Sequence, residues 1–281
     1  MPRAQLRWRH RKGELVLDRT RIMAVLNVTP DSFSDGGLFF DPEVAIQQGL
    51  EMVEAGADLI DVGGESTRPG ADPVSAEEEW RRVGRVIEGL ARKIDVPVSV
   101  DTYKAEIAAK AIHVGASIVN DVTGLRDIRM IKSIARGGAG AVLMHMLGEP
   151  RTMQTSPRYD DVVKEVRTFL EARARTAISE GVPTEAIAVD PGVGFGKTLE
   201  HNLELIRHLD AVASLGYPVV IGVSRKSFLG KLGAGPPGGR LIGSIAAATA
   251  AVAHGAHVVR AHDVAETVRA MRVADALVRG P

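Results

Sequence analysis

Side chains that can do chemistry stand at the ends of eight short apolar runs in this sequence. They are Asn27, Asp61, Asp101, Asn120 with Asp121, His145, Asp190, Ser224 with Arg225 and Lys226, and Arg260 with His262. Carboxylates and amides accept hydrogen bonds from a ligand, whereas lysine, arginine and histidine can hold an anion. If the ends of the runs meet, they form a polar site that contains both acceptors and anion-binding cations.

Each of these residues also has an ordinary structural explanation. An Asp or Asn just after a strand often caps the next helix, and His145 fits a core histidine satisfied by backbone better than a ligand. His262 differs, because it follows Arg260 at two-residue spacing and faces the same way if the strand continues. The joint occurrence of these side chains is what favours a functional site.

The apolar runs predict buried strands, because they are nearly continuous rather than alternating, as in a parallel sheet covered on both faces. The predicted strands span residues 22–26, 59–62, 98–100, 117–119, 141–144, 186–189, 219–223 and 257–259. Stretches with apolar residues three and four apart predict helices over residues 44–55, 76–90, 104–113, 159–179, 203–213 and 265–277. Strands and helices therefore alternate along the chain.

Eight such units without a low-complexity linker predict one α/β domain over residues 1–281, a (β/α)8 barrel. In a barrel the carboxyl ends of all strands share one face, where the polar side chains would converge. Residues 1–20 precede the barrel as a β-hairpin extension, because residues 5–9 and 14–17 alternate around a Lys-Gly turn. An open doubly wound sheet is the alternative, but a glycine fingerprint should then follow the first strand, which instead ends in NVTPD.

Three glycine-bearing loops follow predicted strands. Residues 62–70, VGGESTRPG, carry Thr67 and Arg68 in a polar loop suited to closing over a ligand, or in an ordinary turn. Residues 190–197, DPGVGFGK, contain glycines that let the backbone approach a flat ligand closely. Residues 224–230, SRKSFLG, open a helix with two cations after the seventh strand, where barrels commonly hold phosphate. This last loop indicates an anionic substrate.

The composition narrows the class of protein. The 281 residues include 35 Lys and Arg against 35 Asp and Glu, 45% hydrophobic residues and no Cys. Balanced charge disfavours a nucleic-acid partner, and no apolar stretch approaches the ~20 residues of a membrane span. The absence of Cys excludes disulfides and thiolate nucleophiles and fits a reducing compartment. The arginines near the N-terminus resemble a mitochondrial targeting sequence, but a β-hairpin explains this segment better. No apolar run indicates a secretory signal peptide. We therefore expect a cytoplasmic protein.

Together the motifs resemble the bacterial dihydropteroate synthase family. The resemblance is carried by MAVLNVTPDSFSDGG (23–37), DVGGESTRPG (61–70), SVDTYK (99–104), NDVTG (120–124), LMH (143–145), DPGVGFGK (190–197), SRKSFLG (224–230) and RAHDV (260–264). Their order and spacing match from residue 22 to the C-terminus, so nearly the whole chain is covered. Residues 233–240, GAGPPGGR, do not conform and have no assigned role.

This resemblance implies a cytoplasmic transferase of folate biosynthesis. The implied reaction joins 6-hydroxymethyl-7,8-dihydropterin diphosphate to 4-aminobenzoate and releases diphosphate. It is dissociative, since diphosphate departs before the amine attacks, and the implied catalytic residues are Asp101, Asp190 and Lys226. The family also implies Mg²⁺ bound through Asn27, sulfonamides as competitors of aminobenzoate, and a homodimer.

The resemblance further assigns side chains to three subsites. It implies that Asp101, Asn120, Met144, Asp190, Phe195 and Lys226 bind the pterin, that Asn27, Asp61, Arg260 and His262 bind the diphosphate, and that Thr67, Arg68, Pro69, Phe195 and Ser227 bind aminobenzoate. The loops over residues 29–39 and 63–70 would close and exclude water, with Asp35 and Arg68 as candidates for a contact between them. Asp31 is a further candidate near the metal.

Other functions compete with this one. A pterin-binding methyltransferase domain uses a similar barrel to pass a methyl group to a corrinoid, but it holds no diphosphate and would not need the SRK segment or Arg260. A non-catalytic relative would be expected to lose loop residues or the anion-binding cluster, which this sequence keeps. A phosphate-binding barrel of another chemistry would not need the DVGGESTRPG loop.

Overall fold

A single parallel sheet organises the molecule, whose computed structural model describes residues 6–29, 41–66, 72–149 and 151–280. Its eight strands are β3 (Arg21–Asn27), β4 (Leu59–Gly63), β5 (Val98–Asp101), β6 (Ile118–Asp121), β7 (Gly140–Met144), β8 (Ile187–Asp190), β9 (Val220–Gly222) and β10 (Val258–Ala261). Each overlaps one predicted strand. The predicted α/β barrel class is therefore confirmed.

The sheet closes into a barrel. Its strands lie side by side in the order β8, β7, β6, β5, β4, β3, β10, β9. The two ends meet where Val189 bridges Val219, and where the Val189 amide donates to the Pro218 carbonyl at 2.9 Å. All carboxyl ends of the strands therefore open at one mouth of the barrel.

The interior of the barrel has an apolar layer beneath a mostly polar one. The apolar layer contains Met23, Leu59, Ile118, Val142, Ala188, Val220 and Val258, all buried. Because side chains alternate along a strand, the residue two positions further on faces the same interior, nearer the mouth. Those positions hold Val25, Asp61, Asn120, Met144, Asp190, Gly222 and Arg260. The two-residue alternation of side chains along each strand therefore places most of these predicted site residues inside the barrel.

The N-terminal hairpin covers the opposite end of the barrel. Its strands β1 (Arg7–His10) and β2 (Gly13–Val16) pair antiparallel, which confirms the predicted hairpin. Trp8 is fully buried against the apolar layer, and its indole Nε1 donates to the Ala186 carbonyl at 3.1 Å. The hairpin therefore completes the core at the end away from the mouth.

Helices surround the sheet. They are α1 (Pro42–Glu54), α2 (Ala76–Lys93), α3 (Ala105–Val114), α4 (Ile128–Gly137), α5 (Val162–Ser179), α6 (Leu199–Arg207), α7 (Leu209–Ala213), α8 (Ser227–Lys231), α9 (Leu241–Ala253) and α10 (Val264–Arg279). The outward-facing strand residues pack against their apolar faces in one continuous core. Among the described helices, none is both long and apolar enough to cross a membrane.

Most predicted boundaries differ from the structure by one to three residues, and three differences have a clear description. Helix α5 begins at residue 162 rather than 159, because the side chain of Asp161 caps it by accepting from the Lys164 amide at 2.9 Å. The helix predicted over residues 203–213 is two helices, since His208 adopts φ −116° and ψ 33° between them. Strand β9 is only three residues long, shorter than the predicted span of residues 219–223.

Candidate active site

Four of the predicted site residues form one hydrogen-bonded network in the barrel mouth. The guanidinium of Arg260 donates from Nε to Oδ2 of Asp61 at 2.6 Å and from Nη2 to Oδ2 of Asp101 at 2.7 Å. The Asn120 amide donates to the same Asp61 oxygen at 3.0 Å. These four side chains come from four different strands, β4, β5, β6 and β10, so the barrel alone brings them together.

The network is buried, and burial changes its titration. The Oδ1 atoms of Asp61 and Asp101 are buried and have no hydrogen-bond partner among the described residues. Burial raises the pKa of Asp101 to about 7, and the nearby Asp61 charge adds to this, although Arg260 opposes it. Burial disfavours the charge of Arg260, but Asp61 and Asp101 outweigh it and raise the pKa of Arg260. Arg260 is therefore a permanent cation, whereas Asp101 titrates near neutrality.

Asp190 and Lys226 lie on the neighbouring side of the mouth. Asp190 ends β8, and its Oδ1 accepts from the Gly192 amide at 2.7 Å. The Nζ of Lys226 donates to the Val193 carbonyl. Burial raises the pKa of Asp190, and burial lowers the pKa of Lys226 to about 8 even though Asp190 favours its charge. This side of the mouth can therefore supply both an acceptor and a cation.

A glycine in β9 brings Lys226 close to Arg260. A Cβ added at Gly222 would lie 3.5 Å from Lys226 Nζ and 4.0 Å from the Cβ of Arg260. A larger residue at this inward-facing position would crowd both cations. The missing side chain lets two cations from different strand ends share one region of the mouth.

An apolar wall completes the site. Met144 packs with Val122, Met146 and Met153, and Phe195 lies against this cluster. The Nζ of Lys226 lies 4.6 Å from the centroid of the Phe195 ring, a cation–π distance. The wall offers a flat apolar surface beside the polar network, which suits a planar ring with a polar edge.

The loop after β8 carries Phe195 and packs directly on the backbone that follows β7. Gly192 has φ +68°, and a Cβ there would lie 1.9 Å from the His145 carbonyl oxygen. At Gly196, with φ +62°, a Cβ would lie 2.7 Å from the Leu147 carbonyl oxygen. Neither position has room for a side chain, so both glycines are required by close contact between the two segments.

Some residues at the strand ends face away from the mouth. Asp121 follows the inward-facing Asn120 and accepts from the amides of Thr123 at 2.7 Å and Leu125 at 3.0 Å, so it shapes a turn. His145 follows the inward-facing Met144 and is buried, as a core histidine should be. Its partner was not anticipated, because Nδ1 lies 3.0 Å from the Nζ of Lys197.

The segment after β9 provides one cation to the mouth rather than two. Arg225, which has φ +58°, forms an ion pair with Asp263. Ser227 begins the five-residue helix α8 and is exposed, outside the polar network. The Nδ1 of His262 lies 3.0 Å from the Ser224 hydroxyl, which places the imidazole beside the strand end that carries Arg260.

Several predicted residues lie outside the described residues. These are Thr67, Arg68 and Pro69 of the predicted aminobenzoate subsite, and Asp31 and Asp35 of the first loop. Asn27 is described and ends β3 in register with Gly63 of β4.

Comparison with known proteins identifies the family to which this chain belongs. A model of the family described as pterin binding enzyme matches residues 23–262, which include the residues that face the mouth. The chain belongs to the pterin-binding enzyme family.

Two similar members of the pterin-binding enzyme family are named dihydropteroate synthase. The chain is 47% identical over 275 residues to the dihydropteroate synthase of Neisseria meningitidis serogroup C, covering 96% of this chain and 97% of that protein. It is also 47% identical over 263 residues to the dihydropteroate synthase of Escherichia coli K12, covering 93% of each.

Solved structures agree in fold over nearly the whole chain. Yersinia pestis dihydropteroate synthase with a sulfonamide drug gives a TM-score of 0.91 at 43% identity, covering 97% of this chain and 99% of that one. The Xanthomonas albilineans enzyme with 4-aminobenzoic acid gives 0.91 at 44% identity, covering 99% and 100%. The same enzyme with 7,8-dihydropteroate gives 0.86 at 43% identity, covering 95% and 97%.

In this pterin-binding enzyme, a partly buried ion-pair cluster was missed by sequence analysis. Lys104 forms ion pairs with Glu65 and Glu79, and the Tyr103 hydroxyl donates to Glu65 at 2.7 Å. The cluster joins the segment after β4 to the segment after β5 and to α2. Glu65, Tyr103 and Lys104 lie in motifs that carry the family resemblance, but their pairing across two loops leaves no local signal.

Proposed function

We propose that this chain is a dihydropteroate synthase, which condenses 6-hydroxymethyl-7,8-dihydropterin diphosphate with 4-aminobenzoate to give 7,8-dihydropteroate and diphosphate. One observation carries the proposal. In a chain of this family, two acceptor carboxylates, Asp101 and Asp190, and two cations, Lys226 and Arg260, meet in one barrel mouth beside an apolar wall. This set matches the needs of a bicyclic heterocycle with an anionic leaving group.

The pterin is held edge-on by the polar network. Its amino-pyrimidine edge is rich in donors, which the unpartnered Oδ1 of Asp101 and the carboxylate of Asp190 would accept, with Asn120 as an amide partner. Its carbonyl accepts from Lys226. Met144 and Phe195 cover the ring face, because both belong to the apolar wall.

The diphosphate is held by Arg260 and His262, with Asn27 at the neighbouring strand end. Two N–H donors of Arg260 serve Asp61 and Asp101, and a guanidinium has five, so donors remain for phosphate oxygens. Asp61 acts on the anion indirectly: its carboxylate orients the guanidinium by accepting from Nε. A direct contact between Asp61 and diphosphate would bring like charges together.

Mg²⁺ is the cofactor we propose, and the donor set suits it. Asn27 ends β3, next to the strand that carries Arg260, and offers an amide oxygen, the type of donor that Mg²⁺ takes. One protein oxygen is enough, since Mg²⁺ keeps waters and binds phosphate oxygens. When bound, the ion would neutralise charge on the departing diphosphate.

The chemistry needs no covalent nucleophile. The bond between the pterin methylene carbon and the diphosphate oxygen breaks, and its electron pair leaves with diphosphate. The amine nitrogen of 4-aminobenzoate then attacks the methylene carbon and loses a proton. Asp101 stabilises the pterin cation through the ring, and Arg260 holds the negative charge that departs. Closure of the loops over residues 29–39 and 63–70 would keep water from capturing the cation.

Aminobenzoate binds on the outer side of Phe195. Thr67, Arg68 and Pro69 are proposed to line this subsite, with Ser227 near the carboxylate. Sulfonamides carry a similar aniline ring and would compete there, as the complex of the Yersinia pestis enzyme with a sulfonamide drug suggests.

A homodimer formed through the last two helices is part of the proposal, as is a cytoplasmic location. Residues Ala248, Ala251 and Val252 of α9 are buried against the barrel, whereas Ile242 is 83% exposed and Leu277 of α10 is 79% exposed. A dimer contact through these helices would cover both exposed side chains. Equilibrium sedimentation tests this, since the variant Ile242→Asp should lower the association constant and a strictly monomeric wild type would contradict it.

Diphosphate release that depends on the aromatic amine tests the proposed function. Purified protein is mixed with pterin diphosphate, 4-aminobenzoate and Mg²⁺, and dihydropteroate is measured by mass spectrometry alongside diphosphate. Lys226→Gln should lose most activity, whereas the matched control Arg225→Gln should keep it, because Arg225 pairs with Asp263 instead of facing the mouth. Release that proceeds equally without the amine would indicate a hydrolase instead.

A further inference from the structure

Four consecutive carbonyls in the loop after β8 each accept a hydrogen bond from a different side chain. Lys226 donates to Val193, Gln154 to Gly194 at 2.7 Å, Lys197 to Phe195 at 2.9 Å, and Tyr159 to Gly196 at 2.8 Å. Loops normally leave such carbonyls to water. Here the backbone around Phe195 is fixed residue by residue.

Lys197 is the most unusual of the four donors. It is 3% exposed, and its Nζ contacts the Phe195 carbonyl at 2.9 Å and Nδ1 of His145 at 3.0 Å. No carboxylate of the described residues forms an ion pair with it, although buried lysines normally have one. Burial of an amine has a desolvation cost in free energy that an apolar side chain at the same position would not have. The hydrogen bond to the loop carbonyl therefore suggests a specific role for Lys197.

The position of Lys197 links two segments of the mouth. His145 directly follows Met144 of the apolar wall, and Phe195 lies on that wall. Gly192 and Gly196 press the loop onto the backbone of residues 145–147, so sliding of the loop would be opposed by contact. Contact between the two segments does not by itself prevent rotation of the peptide that joins Phe195 to Gly196. The hydrogen bond from Lys197 to the Phe195 carbonyl restrains that rotation.

We propose that Lys197 is a positioning residue that sets the orientation of the Phe195 ring and thereby the affinity for 4-aminobenzoate. The inference rests on the proposed function, because it assigns the outer face of Phe195 to the aromatic amine. Lys197 itself is only 3% exposed, so we do not expect it to touch a reactant. Its effect should therefore appear in aminobenzoate binding and pass entirely through Phe195.

The central variant is Lys197→Met, which keeps the aliphatic stem and removes the donor. We expect the KM for 4-aminobenzoate to rise about tenfold, equivalent to about 1.4 kcal/mol, while the KM for pterin diphosphate changes about twofold or less. Tyr159→Phe is the matched control, because it removes the donor to the next carbonyl, that of Gly196. It should leave the KM for 4-aminobenzoate within about twofold of wild type.

A double-mutant cycle shows whether the effect passes through Phe195. If it does, Lys197→Met should add little to the KM increase of Phe195→Ala, because residues that act as a unit are not additive. Full additivity would overturn the proposal, and so would equal KM increases in Lys197→Met and Tyr159→Phe, since both outcomes indicate general loosening of the loop.

A conservative variant keeps the proposal testable if Lys197→Met does not fold. Lys197→Gln retains an N–H donor on a shorter stem, so its KM for 4-aminobenzoate should lie between that of wild type and the roughly tenfold increase expected without a donor. A folded Lys197→Gln enzyme in which the KM values for both substrates rise equally would contradict the assigned role. Wild-type protein in the same assay separates the two proposals. Failure of wild type to form dihydropteroate refutes the proposed function, whereas an active wild type with unaltered KM in both Lys197 variants refutes only the role of Lys197.

Discussion

Arg260 and Asp101 are 159 residues apart in the sequence, yet Nη2 of the guanidinium donates to Oδ2 of the carboxylate at 2.7 Å. The same guanidinium binds Asp61 through Nε, so one cation holds two buried carboxylates at the base of the mouth. Under the proposed function, this pairing would couple the pterin subsite to the diphosphate subsite. Changes at either residue should therefore be felt at both subsites, to different extents.

Replacing Asp101 by Asn should reduce turnover far more than it weakens binding of pterin diphosphate. The carboxylate charge matters most when the pterin cation develops, whereas the amide can still accept a hydrogen bond in the ground state. We expect kcat to fall roughly 100-fold, in the range found when one stabilising group is lost from an active site. Single-turnover rates and calorimetric Kd values measure the two effects separately, and equal losses in both would contradict the assignment.

Replacing Arg260 by Ala should mainly weaken binding of the diphosphate. Loss of charge-assisted hydrogen bonds to phosphate should raise the Kd of pterin diphosphate roughly 10- to 100-fold. The variant should also be less stable, because Asp61 and Asp101 remain buried without a cation, a change that typically costs about 3–5 kcal/mol. Arg260→Lys retains the charge and should lose less on both measures. Calorimetry and urea unfolding provide the test, and an unchanged Kd would remove Arg260 from the diphosphate subsite.

The pH profile of kcat/KM should be bell-shaped. Asp101 has its pKa raised to about 7 and acts as the carboxylate, so activity should fall as pH drops below about 7. Lys226 has its pKa lowered to about 8 and acts as the ammonium, so activity should fall again above about 8. Asp101→Asn should flatten the acid limb, and Lys226→Arg should move the alkaline limb upward. The substrates titrate in the same way with wild type and with both variants, so any difference between the pH profiles comes from the enzyme. A profile identical to that of wild type would refute the assignment of the residue that was replaced.

Replacing Phe195 by Ala should change recognition of aminobenzoate and of sulfonamides together. Both ligands present an aniline ring, which we expect to lie on the face of Phe195, so the KM of one and the inhibition constant of the other should rise by similar factors. Pro69, which lies outside the described residues, is expected to behave in the same way. Steady-state inhibition at varied aminobenzoate measures both constants, and a change in only one of them would place the two ligands in separate pockets.

Replacing Trp8 by Ala should destabilise the fold without changing the chemistry. Its indole is fully buried beneath the barrel, at the end away from the mouth. Loss of a buried Trp typically costs about 3–5 kcal/mol, whereas Trp8→Phe should lose much less. Urea unfolding should show the difference, and both KM values should stay near those of wild type. A large KM change in Trp8→Phe would mean that the hairpin influences the mouth.

Strand positions and the barrel were predictable because they depend on local pattern. Apolar runs marked all eight strands, and the polar residue at the end of most of them faces the mouth as expected from the barrel geometry. Two residues departed from this expectation by one position. Asp121 and His145 each follow an inward-facing neighbour, so the alternation of the strand turns them outward.

Partners could not be predicted in the same way. Arg225 and Lys226 are adjacent in the sequence and were both expected at the anion site. Instead, Arg225 forms an ion pair with Asp263. Lys226 donates a hydrogen bond to the Val193 carbonyl. Lys197 was part of a motif without a role, because its contacts come from the segment after β7 and from its own loop. The cluster of Lys104 with Glu65 and Glu79 was hidden for the same reason.

By itself, the sequence determined which residue types stand at the ends of the strands and that those strands alternate with helices, since hydrophobic period and turn residues act over short range. The tertiary structure alone decided which side chains pair. It joined Arg260 to Asp61 and Asp101, placed Lys226 beside the Phe195 ring, and bound Lys197 to the Phe195 carbonyl. Hydrogen bonds and ion pairs act over a few ångströms, and closure of the barrel determines which distant residues come within that range.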